Sequence, residues 1–255
     1  MKDVIFLGSK GIGHHCLSYL LANQSNLGVR VTAVLTNDRK LKPDDLSIRD
    51  LCTSHHIPVL DQTDELLHFD RPDFLLSVQY HEILPQQHID RARELAINLH
   101  MAPLPEYRGC NLFSFAIIDE AKQFGTTLHV LNAGIDAGDI LFERRFDIDH
   151  NCMVTDLYER TLAESKTLFE KKIGKIFSGQ YSKIPQSGLH NERGTSIHYR
   201  KEMNQIKEFD KSWDNAKILR HFRATYFPPF PPPYFIDGDG KVEVTPEWIQ
   251  ANITT

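Results

Sequence analysis

Short apolar runs alternate with helical patterns along most of this chain. Residues 4–7 form a continuous apolar run, which is typical of a strand buried on both faces, and further strands are predicted at 29–35 and, also buried, at 73–78. After the first run, Leu17, Leu20 and Leu21 recur at helical spacing. Strands and helices that alternate in this way predict an α/β fold with a doubly wound, mostly parallel sheet.

The same pattern continues as far as residue 173. Further strands are predicted at 57–59, 95–100, 125–131 and 139–143, and further helices at 44–56, 86–93, 111–121 and 155–173. Thr155 is a suitable N-cap for the last of these helices. The strands at 125–131 and 139–143 are expected to flank a loop that carries Asp136.

The composition changes beyond Pro185. A polar stretch leads to a predicted helix with the apolar residues Trp213, Ile218, Leu219 and Phe222. A run of prolines and aromatic residues follows, and a turn at 237–240 is predicted to close a hairpin. We therefore expect a larger unit at 1–185 and a small α+β extension at 186–255 that ends in the hairpin.

The overall composition is that of an ordinary globular protein, with 41% hydrophobic and 25% charged residues. The formal net charge of -5 argues against a nucleic-acid partner, which normally needs a basic face. No run is long enough for a membrane span or a signal peptide, so a cytoplasmic protein is expected. Cys16, Cys52, Cys110 and Cys152 lack a Cys-x-x-Cys motif, which predicts reduced thiols and no metal site.

Asn98 and His100 lie near the end of a predicted strand and should point to the same face, while Leu99 points into the core. Asp136, between Gly134 and Gly138, is placed to hold the imidazole in one tautomer and to raise its pKa. The three side chains form a hypothetical site with a hydrogen-bond donor, a proton-transfer group and an orienting carboxylate. For an isolated Asn-x-His the alternative is a capping Asn beside a surface His.

The glycine turn after the first strand, residues 8–13, suggests a phosphate at the N-terminus of the following helix. A nicotinamide-dependent oxidoreductase is one hypothesis, with Asp38 as the ribose ligand. The pattern is G-x-x-G-x-G rather than G-x-G-x-x-G, so this dinucleotide signal is weak. One phosphate of some other substrate, or simply a tight turn, explains the glycines equally well.

The segment 223–235 interleaves aromatic residues with prolines and begins with Arg223. One interpretation is a rigid polyproline connector, or a ligand for a proline-binding domain in a noncatalytic interaction protein. The other is a stiff wall on which a nucleotide base stacks, with a cation close by for phosphate.

Four motifs, taken together and in this order, resemble the formyltransferases that use 10-formyltetrahydrofolate. They are Asn98-x-His100, the loop 103–109, the strand 125–129 and the segment 135–140. The resemblance covers roughly residues 1–180, and it implies that 10-formyltetrahydrofolate is the cosubstrate and that no metal is needed. The segment 223–229 resembles the sugar N-formyltransferases of this family, which act on amino sugars carried by a nucleoside diphosphate.

The resemblance also implies roles for individual residues. His100 would take the amine proton or stabilise the oxyanion, Asn98 would donate its amide to that oxyanion, and Asp136 would hold His100 and favour its protonated form. His129 would support the site rather than perform chemistry. The pterin would lie against Tyr80, Glu82, Ile83, Leu84, Gly134, Ile135 and Asp136. The acceptor would contact Ser9, Lys10, Arg108, Arg223, Tyr226, Phe227, Phe230 and Tyr234.

Within the family, residues 106–111 most resemble enzymes acting on dTDP-4-amino-4,6-dideoxyglucose for surface polysaccharides. UDP-4-amino-4-deoxyarabinose, a 3-amino sugar and methionyl-tRNA are the alternative acceptors. The tail is expected to be too short for the basic C-terminal barrel of the tRNA enzyme. No membrane partner is expected. We expect a homodimer that pairs through the hairpin.

Overall fold

A computed structural model describes residues 1–238 and 240–253, and its centre is a seven-stranded sheet in the order β3-β2-β1-β4-β5-β7-β8. The first five strands are parallel, and β7 and β8 are antiparallel additions at one edge. The strands are β1 (Lys2–Gly8), β2 (Val29–Leu35), β3 (Val59–Leu60), β4 (Phe74–Val78), β5 (Leu95–His100), β6 (Tyr107–Gly109), β7 (Gln123–Val130), β8 (Ile140–Asp147), β9 (Ser196–His198), β10 (Glu208–Phe209), β11 (Tyr234–Asp237) and β12 (Gly240–Glu243).

Helices cover both faces of the sheet, because successive residues of its central strands are buried on opposite sides. In β1, Val4 and Phe6 belong to one apolar cluster, and Ile5 and Leu7 belong to another. The helices are α1 (Lys10–Leu27), α2 (Ile48–Ser54), α3 (Glu65–His68), α4 (Gln86–Ile89), α5 (Leu112–Ile118), α6 (Val154–Phe177), α7 (His190–Arg193), α8 (Glu202–Lys207), α9 (Asn215–Thr225) and α10 (Pro246–Asn252). The predicted doubly wound, mostly parallel α/β fold is confirmed.

Several predicted helices are shorter in the structure or begin elsewhere. The helix predicted at 44–56 forms only at Ile48–Ser54, because Asp38 accepts hydrogen bonds from the Ile48 amide at 2.7 Å and the Ser47 hydroxyl at 2.8 Å. The N-cap prediction for Thr155 is wrong. Met153 is the N-cap of α6, and its amide donates to the Asp156 carboxylate at 3.2 Å.

The C-terminal extension has an apolar core of its own. Strands β10, β11 and β12 form a small sheet, against which α9 and α10 pack through Phe209, Phe222, Phe235 and Ile253. The predicted hairpin joins β11 to β12 in antiparallel pairing, although Asp239 of its predicted turn lies outside the described residues. The described chain continues beyond this hairpin into α10.

Sheet order places a crevice between β1 and β4, where the chain reverses direction across the sheet. Ligands of open α/β sheets bind at such a switch point, beyond the carboxyl ends of the strands. Strand β5, with Asn98 and His100, lies next to β4. Within the described residues, no helix is both long and apolar enough to span a bilayer.

Candidate active site

Antiparallel pairing between β5 and β7 builds the floor of the site. Asn98 pairs with His129, and His100 pairs with Thr127. Paired residues, and residues two apart on one strand, point to the same face. The loop between β7 and β8 folds back over this face and brings Asp136 to Asn98, His100 and His129. The structure therefore assembles the three predicted catalytic side chains, together with His129.

His100 is held in one tautomer by backbone rather than by Asp136. Its Nε2 lies 2.8 Å from the carbonyl oxygen of Tyr107. A carbonyl only accepts hydrogen bonds, so Nε2 must carry the hydrogen. In the neutral imidazole the lone pair is then on Nδ1, which lies 3.5 Å from Asp136 Oδ1. A proton accepted at Nδ1 would stand between the ring and the carboxylate.

The net direction of the His100 pKa corrects the sequence-based expectation. Burial lowers the pKa of His100 below 6.5, and this effect outweighs the neighbouring Asp136 carboxylate and the Tyr107 carbonyl, which raise it. The side chain is only 7% exposed, so water does little to stabilise an imidazolium. His100 is therefore neutral near pH 7 and suited to accept a proton.

Asp136 is the most connected group of the site. Its Oδ2 accepts from the Gly109 amide at 3.0 Å, and its Oδ1 lies 3.4 Å from Asn98 Nδ2 and 3.5 Å from His129 Nε2. Burial alone raises the pKa of Asp136, but His100, His129 and the Gly109 amide together hold it well below its ordinary value. The residue thus provides a fixed negative charge.

His129 contacts the side-chain amide of Asn98 from the neighbouring strand. Nδ1 of His129 donates to the Val130 carbonyl at 2.8 Å, so the neutral ring accepts at Nε2. Asn98 Nδ2 lies 3.1 Å from that nitrogen, which fixes the amide with its NH₂ group toward His129 and Asp136. The contact between Asn98 Nδ2 and Asp136 Oδ1 is long, at 3.4 Å. The Asn98 N–H that points to Asp136 can therefore also donate to another acceptor.

Ser9 and Lys10 lie at the switch-point crevice between β1 and β4. The Ser9 hydroxyl donates to the Gln79 carbonyl at 2.5 Å, and Lys10 Nζ donates to Gln79 Oε1 at 2.7 Å. Burial lowers the pKa of Lys10 to about 8, with further lowering by Arg39 and Arg200. Positively charged Arg39 and Arg200 therefore lie near Lys10, as does the Asp45 carboxylate, which raises its pKa.

Arg108 lies in β6 next to Gly109, whose amide binds Asp136. Its Nε is buried and has no hydrogen-bond partner within the described part of the chain. Arg108 thus has a donor free for the predicted acceptor contact.

The residues predicted to hold the pterin differ in their surroundings. Leu84 is buried and, like Tyr80, packs in the same cluster as Leu131, where the Asp136 loop begins. Glu82 accepts a hydrogen bond from Thr63, while Ile83 is 66% exposed. The Gly134 amide donates to Asn132 Oδ1 within the Asp136 loop at 3.1 Å, and Ile135 follows it there.

The predicted acceptor residues of the C-terminal segment do not join this centre as a group. Arg223 lines a separate cavity of about 150 Å³ with Glu120, Lys122 and Asp149. This cavity lies where β7 begins, roughly 13 Å along the strand from Thr127.

The four predicted aromatic residues are mostly packed against other side chains. Tyr226 stacks on Phe222, and Phe227 packs on Tyr158, with ring centroids 5.0 and 5.5 Å apart. The Tyr234 hydroxyl donates to Glu208 at 3.1 Å. Phe230, at 41%, is the most exposed of the four.

The glycine turn is occupied in a way that disfavours a dinucleotide. Asp45 lies at the start of α1, so close that a Cβ on Gly11 would stand 2.5 Å from its Oδ1. Asp38, the candidate ribose ligand, is already engaged with Ser47 and Ile48. The Asp45 carboxylate is held by the amides of Leu41 and Lys42, so a dinucleotide pyrophosphate on the amides of α1 would face its negative charge.

Two functional groups were missed because they are backbone atoms, namely the Tyr107 carbonyl and the Gly109 amide. Any residue type supplies such a group, so only their position in three dimensions reveals them. Gln186, discussed below, was also missed, and its place in a polar stretch gave no signal.

Known proteins share sequence and fold with this chain. A family model described as formyl transferase matches residues 2–173. GDP-perosamine N-formyltransferase of Brucella melitensis is 30% identical over 175 residues, which are 69% of this chain and 64% of that relative. Methionyl-tRNA formyltransferase of Geobacillus thermodenitrificans is 28% identical, over 95% of this chain and 76% of its own.

Solved structures share the fold. An N-formyltransferase from Helicobacter canadensis, solved with folinic acid and dTDP-3-aminofucose, superposes with a TM-score of 0.73. The two sequences are 24% identical, and the match covers 89% of this chain and 81% of the other.

Proposed function

The chain belongs to the formyl transferase family, and we propose that it transfers a formyl group from 10-formyltetrahydrofolate to the amine of a nucleotide-linked amino sugar. The observation that carries this proposal is the neutral, buried His100, whose Nδ1 faces the Asp136 carboxylate at 3.5 Å. A base of this kind is what an attacking amine needs, because the nitrogen must lose a proton as it forms the amide.

The residues divide the reaction among them. The sugar amine attacks the formyl carbon, and His100 Nδ1 takes its proton while Asp136 stabilises the imidazolium. The Asn98 N–H that makes the long contact to Asp136 also donates to the tetrahedral oxyanion. This hydrogen bond strengthens as negative charge develops on the oxygen. As the carbon–nitrogen bond to the folate breaks, His100 returns the proton to the departing nitrogen, which yields the formamide and tetrahydrofolate.

Free backbone groups support a folate site at the predicted segment. Residues 80–84 make no backbone hydrogen bond to other described residues, and the segment includes exposed Ile83 next to buried Leu84. A flat ring with several donors and acceptors fits such a mixture of apolar surface and unpaired backbone groups.

The cations at the crevice support an acceptor with phosphates. Arg39 and Arg200 lie close enough to Lys10 to lower its pKa, while the chain as a whole has a net charge of -5. The Arg39 and Arg200 side chains have no ion-pair partner in the described ranges. The negative charges of a diphosphate would pair with this group of cations. A tRNA needs a broad basic surface, which is not expected of a chain with a net negative charge.

Among acceptors, we propose dTDP-4-amino-4,6-dideoxyglucose first, with formation of a surface-polysaccharide precursor in the cytoplasm. The relatives support nucleotide-linked sugars of more than one kind, since one acts on GDP-perosamine and one was solved with dTDP-3-aminofucose. Methionyl-tRNA is the second candidate, because a methionyl-tRNA formyltransferase matches most of this chain.

We also propose a homodimer through the β11–β12 hairpin. Ile236 and Val242 of this hairpin are exposed, and β12 is an edge strand. The measured mass in solution would test it.

The experiment is formylation of a panel of amines with 10-formyltetrahydrofolate, followed by mass spectrometry. The panel holds dTDP-4-amino-4,6-dideoxyglucose, dTDP-3-aminofucose, GDP-perosamine, UDP-4-amino-4-deoxyarabinose and methionyl-tRNA. A formylated sugar that disappears with His100→Ala supports the proposal. Formylation of the tRNA alone would overturn it in favour of the second candidate.

A further inference from the structure

Gln186 is a buried polar residue at the start of the C-terminal extension. Only 4% of it is exposed, although the residues on either side of it are exposed. The chain reaches it through Ile184, which exchanges two backbone hydrogen bonds of 2.9 Å with Ile140 of β8. This pairing places the start of the extension next to the Asp136 loop.

The side-chain amide of Gln186 binds that loop at two points. Its Nε2 donates to the carbonyl oxygens of Asp136 at 2.8 Å and of Gly138 at 2.7 Å. Each N–H of the amide therefore has one acceptor. Its Oε1 is buried without a hydrogen-bond partner in the described ranges, so the donors rather than the oxygen account for the placement.

The loop has an unusual backbone conformation at the residues that Gln186 binds. Asp136 has a φ of +44°, a left-handed backbone that non-glycine residues seldom adopt. At Gly138 a Cβ would stand 1.9 Å from the Val130 carbonyl, so the chain passes too close for a side chain. Other backbone bonds of the loop join its ends, from Leu131 to Ala96 and from Val130 to Asp139.

We propose that Gln186 is a positioning residue for formyl transfer, because it fixes the backbone of Asp136 and thereby keeps the carboxylate beside His100 Nδ1. This inference rests on the proposed function, since it assigns Asp136 a part in that reaction. A side chain that only filled space would not need two N–H groups aimed at two carbonyls of one loop.

The test compares Gln186→Leu, which keeps the volume but removes both donors, with Gln180→Leu at an exposed position. Both are assayed for formyl transfer to the best sugar of the panel across a range of pH, together with Asp136→Asn. For Gln186→Leu we expect kcat to fall on the order of tenfold to a hundredfold, with a much smaller change in KM.

The pH profile distinguishes positioning from general loss of structure. A carboxylate that moves away from Nδ1 no longer raises the pKa of His100, so the acid limb of kcat should move to lower pH. Asp136→Asn should move the acid limb in the same direction. Gln180→Leu should leave the acid limb at its wild-type position. Since all variants use one substrate, titration of its amine contributes equally to each profile.

Gln186→Glu serves if the leucine variant does not fold. A protonated carboxyl donates one hydrogen bond, while a carboxylate donates none and repels both carbonyls. Its kcat should therefore decline further as pH rises, in contrast with the wild-type enzyme. A Glu variant that keeps wild-type kcat at pH 8 would overturn the inference.

Hydrogen exchange separates this inference from the proposed function. In Gln186→Leu, amides of residues 132–138 should exchange faster than in the wild-type protein, whether or not any sugar is formylated. No product from the wild-type enzyme would tell against the proposed function alone. Unchanged exchange, or an unchanged kcat and pH profile in a folded Gln186→Leu, would tell against a positioning role.

Discussion

Two regions of this molecule look equally functional in sequence, and the fold treats them differently. In the first, Asn98 and His100 of β5 meet Asp136 of the β7–β8 loop, whose Oδ1 lies 3.4 Å from Asn98 Nδ2 and 3.5 Å from His100 Nδ1. In the second, the aromatic residues of segment 223–235 disperse, and Tyr226 and Phe227 pack against different partners.

The contrast follows from what burial demands of each residue type. A buried polar group is costly without hydrogen-bond partners, so polar residues on a buried strand must meet others in a defined geometry. An aromatic ring is stabilised by almost any apolar neighbour. Polar residues in apolar surroundings are therefore the better indicator of a site.

The largest expected effect is at His100. Replacement by Ala should lower kcat on the order of 10²–10⁴-fold, because a positioned base is lost. In the wild-type enzyme, protonation inactivates the base, so kcat should fall as pH drops through the lowered pKa of His100, below 6.5. Rate measurements against pH check both points.

His55→Ala, at an exposed histidine, is the matched control and should leave the rate unchanged. A wild-type rate in His100→Ala would show that His100 takes no part in the reaction. The polar region and the aromatic region would then no longer differ in function.

Asn98→Ala should lower kcat on the order of 10²–10³-fold, or about 2.7–4 kcal/mol, because the oxyanion loses one donor. The measurement is single-turnover formyl transfer at saturating substrates. Asn191→Ala, at an exposed site, should match the wild type. An effect confined to KM would make Asn98 a binding residue only.

Lys10→Met should lower kcat/KM for a nucleotide sugar about tenfold to a hundredfold, the value of a charged hydrogen bond of roughly 1.5–3 kcal/mol. The pKa of Lys10 is about 8, so the wild-type kcat/KM should decline as pH rises through that value and the charge is lost. Lys10→Met should lack this decline.

Lys10→Arg should retain its charge above pH 8 and so keep kcat/KM there, and Lys40→Met, at an exposed position, should behave as the wild type. If kcat/KM of Lys10→Met also declines near pH 8, the decline comes from titration of the substrate amine and not of Lys10.

The aromatic region should affect stability rather than rate. Phe227→Ala should lower the free energy of unfolding by about 2–3 kcal/mol, somewhat less than for a fully buried Phe, with kcat/KM nearly unchanged. Phe230→Ala should lower it by less, about 1 kcal/mol, because 41% of Phe230 is exposed.

Urea titration and the formylation assay give these two quantities. A raised KM for the nucleotide in Phe227→Ala, at unchanged stability, would return segment 223–235 to the substrate site.

Local pattern predicted the strands better than the helix ends. Strands β2 and β5 have the bounds that their apolar runs indicated, since burial on both faces leaves a continuous signal. The helix expected at 44–56 was shortened because Ser47 and Ile48 donate hydrogen bonds to Asp38, which lies outside the predicted helix and its apolar pattern.

The site was predictable in its side chains and not in its supports. Asn98, His100 and Asp136 were found by residue type, spacing and resemblance. The direction of the His100 pKa was not, because it depends on how far the ring is buried. The Tyr107 carbonyl, the Gly109 amide and Gln186 support the site through contacts that only the folded chain makes.

The strand pairing of β6 with β9 has a consequence for synthesis of the protein. Tyr107, whose carbonyl orients His100, pairs with Ser196, and Gly109, whose amide holds Asp136, pairs with His198. A ribosome releases the central sheet well before either partner emerges. The nascent chain would thus carry a folded sheet with an unfinished site, and competence for catalysis would arrive late in translation.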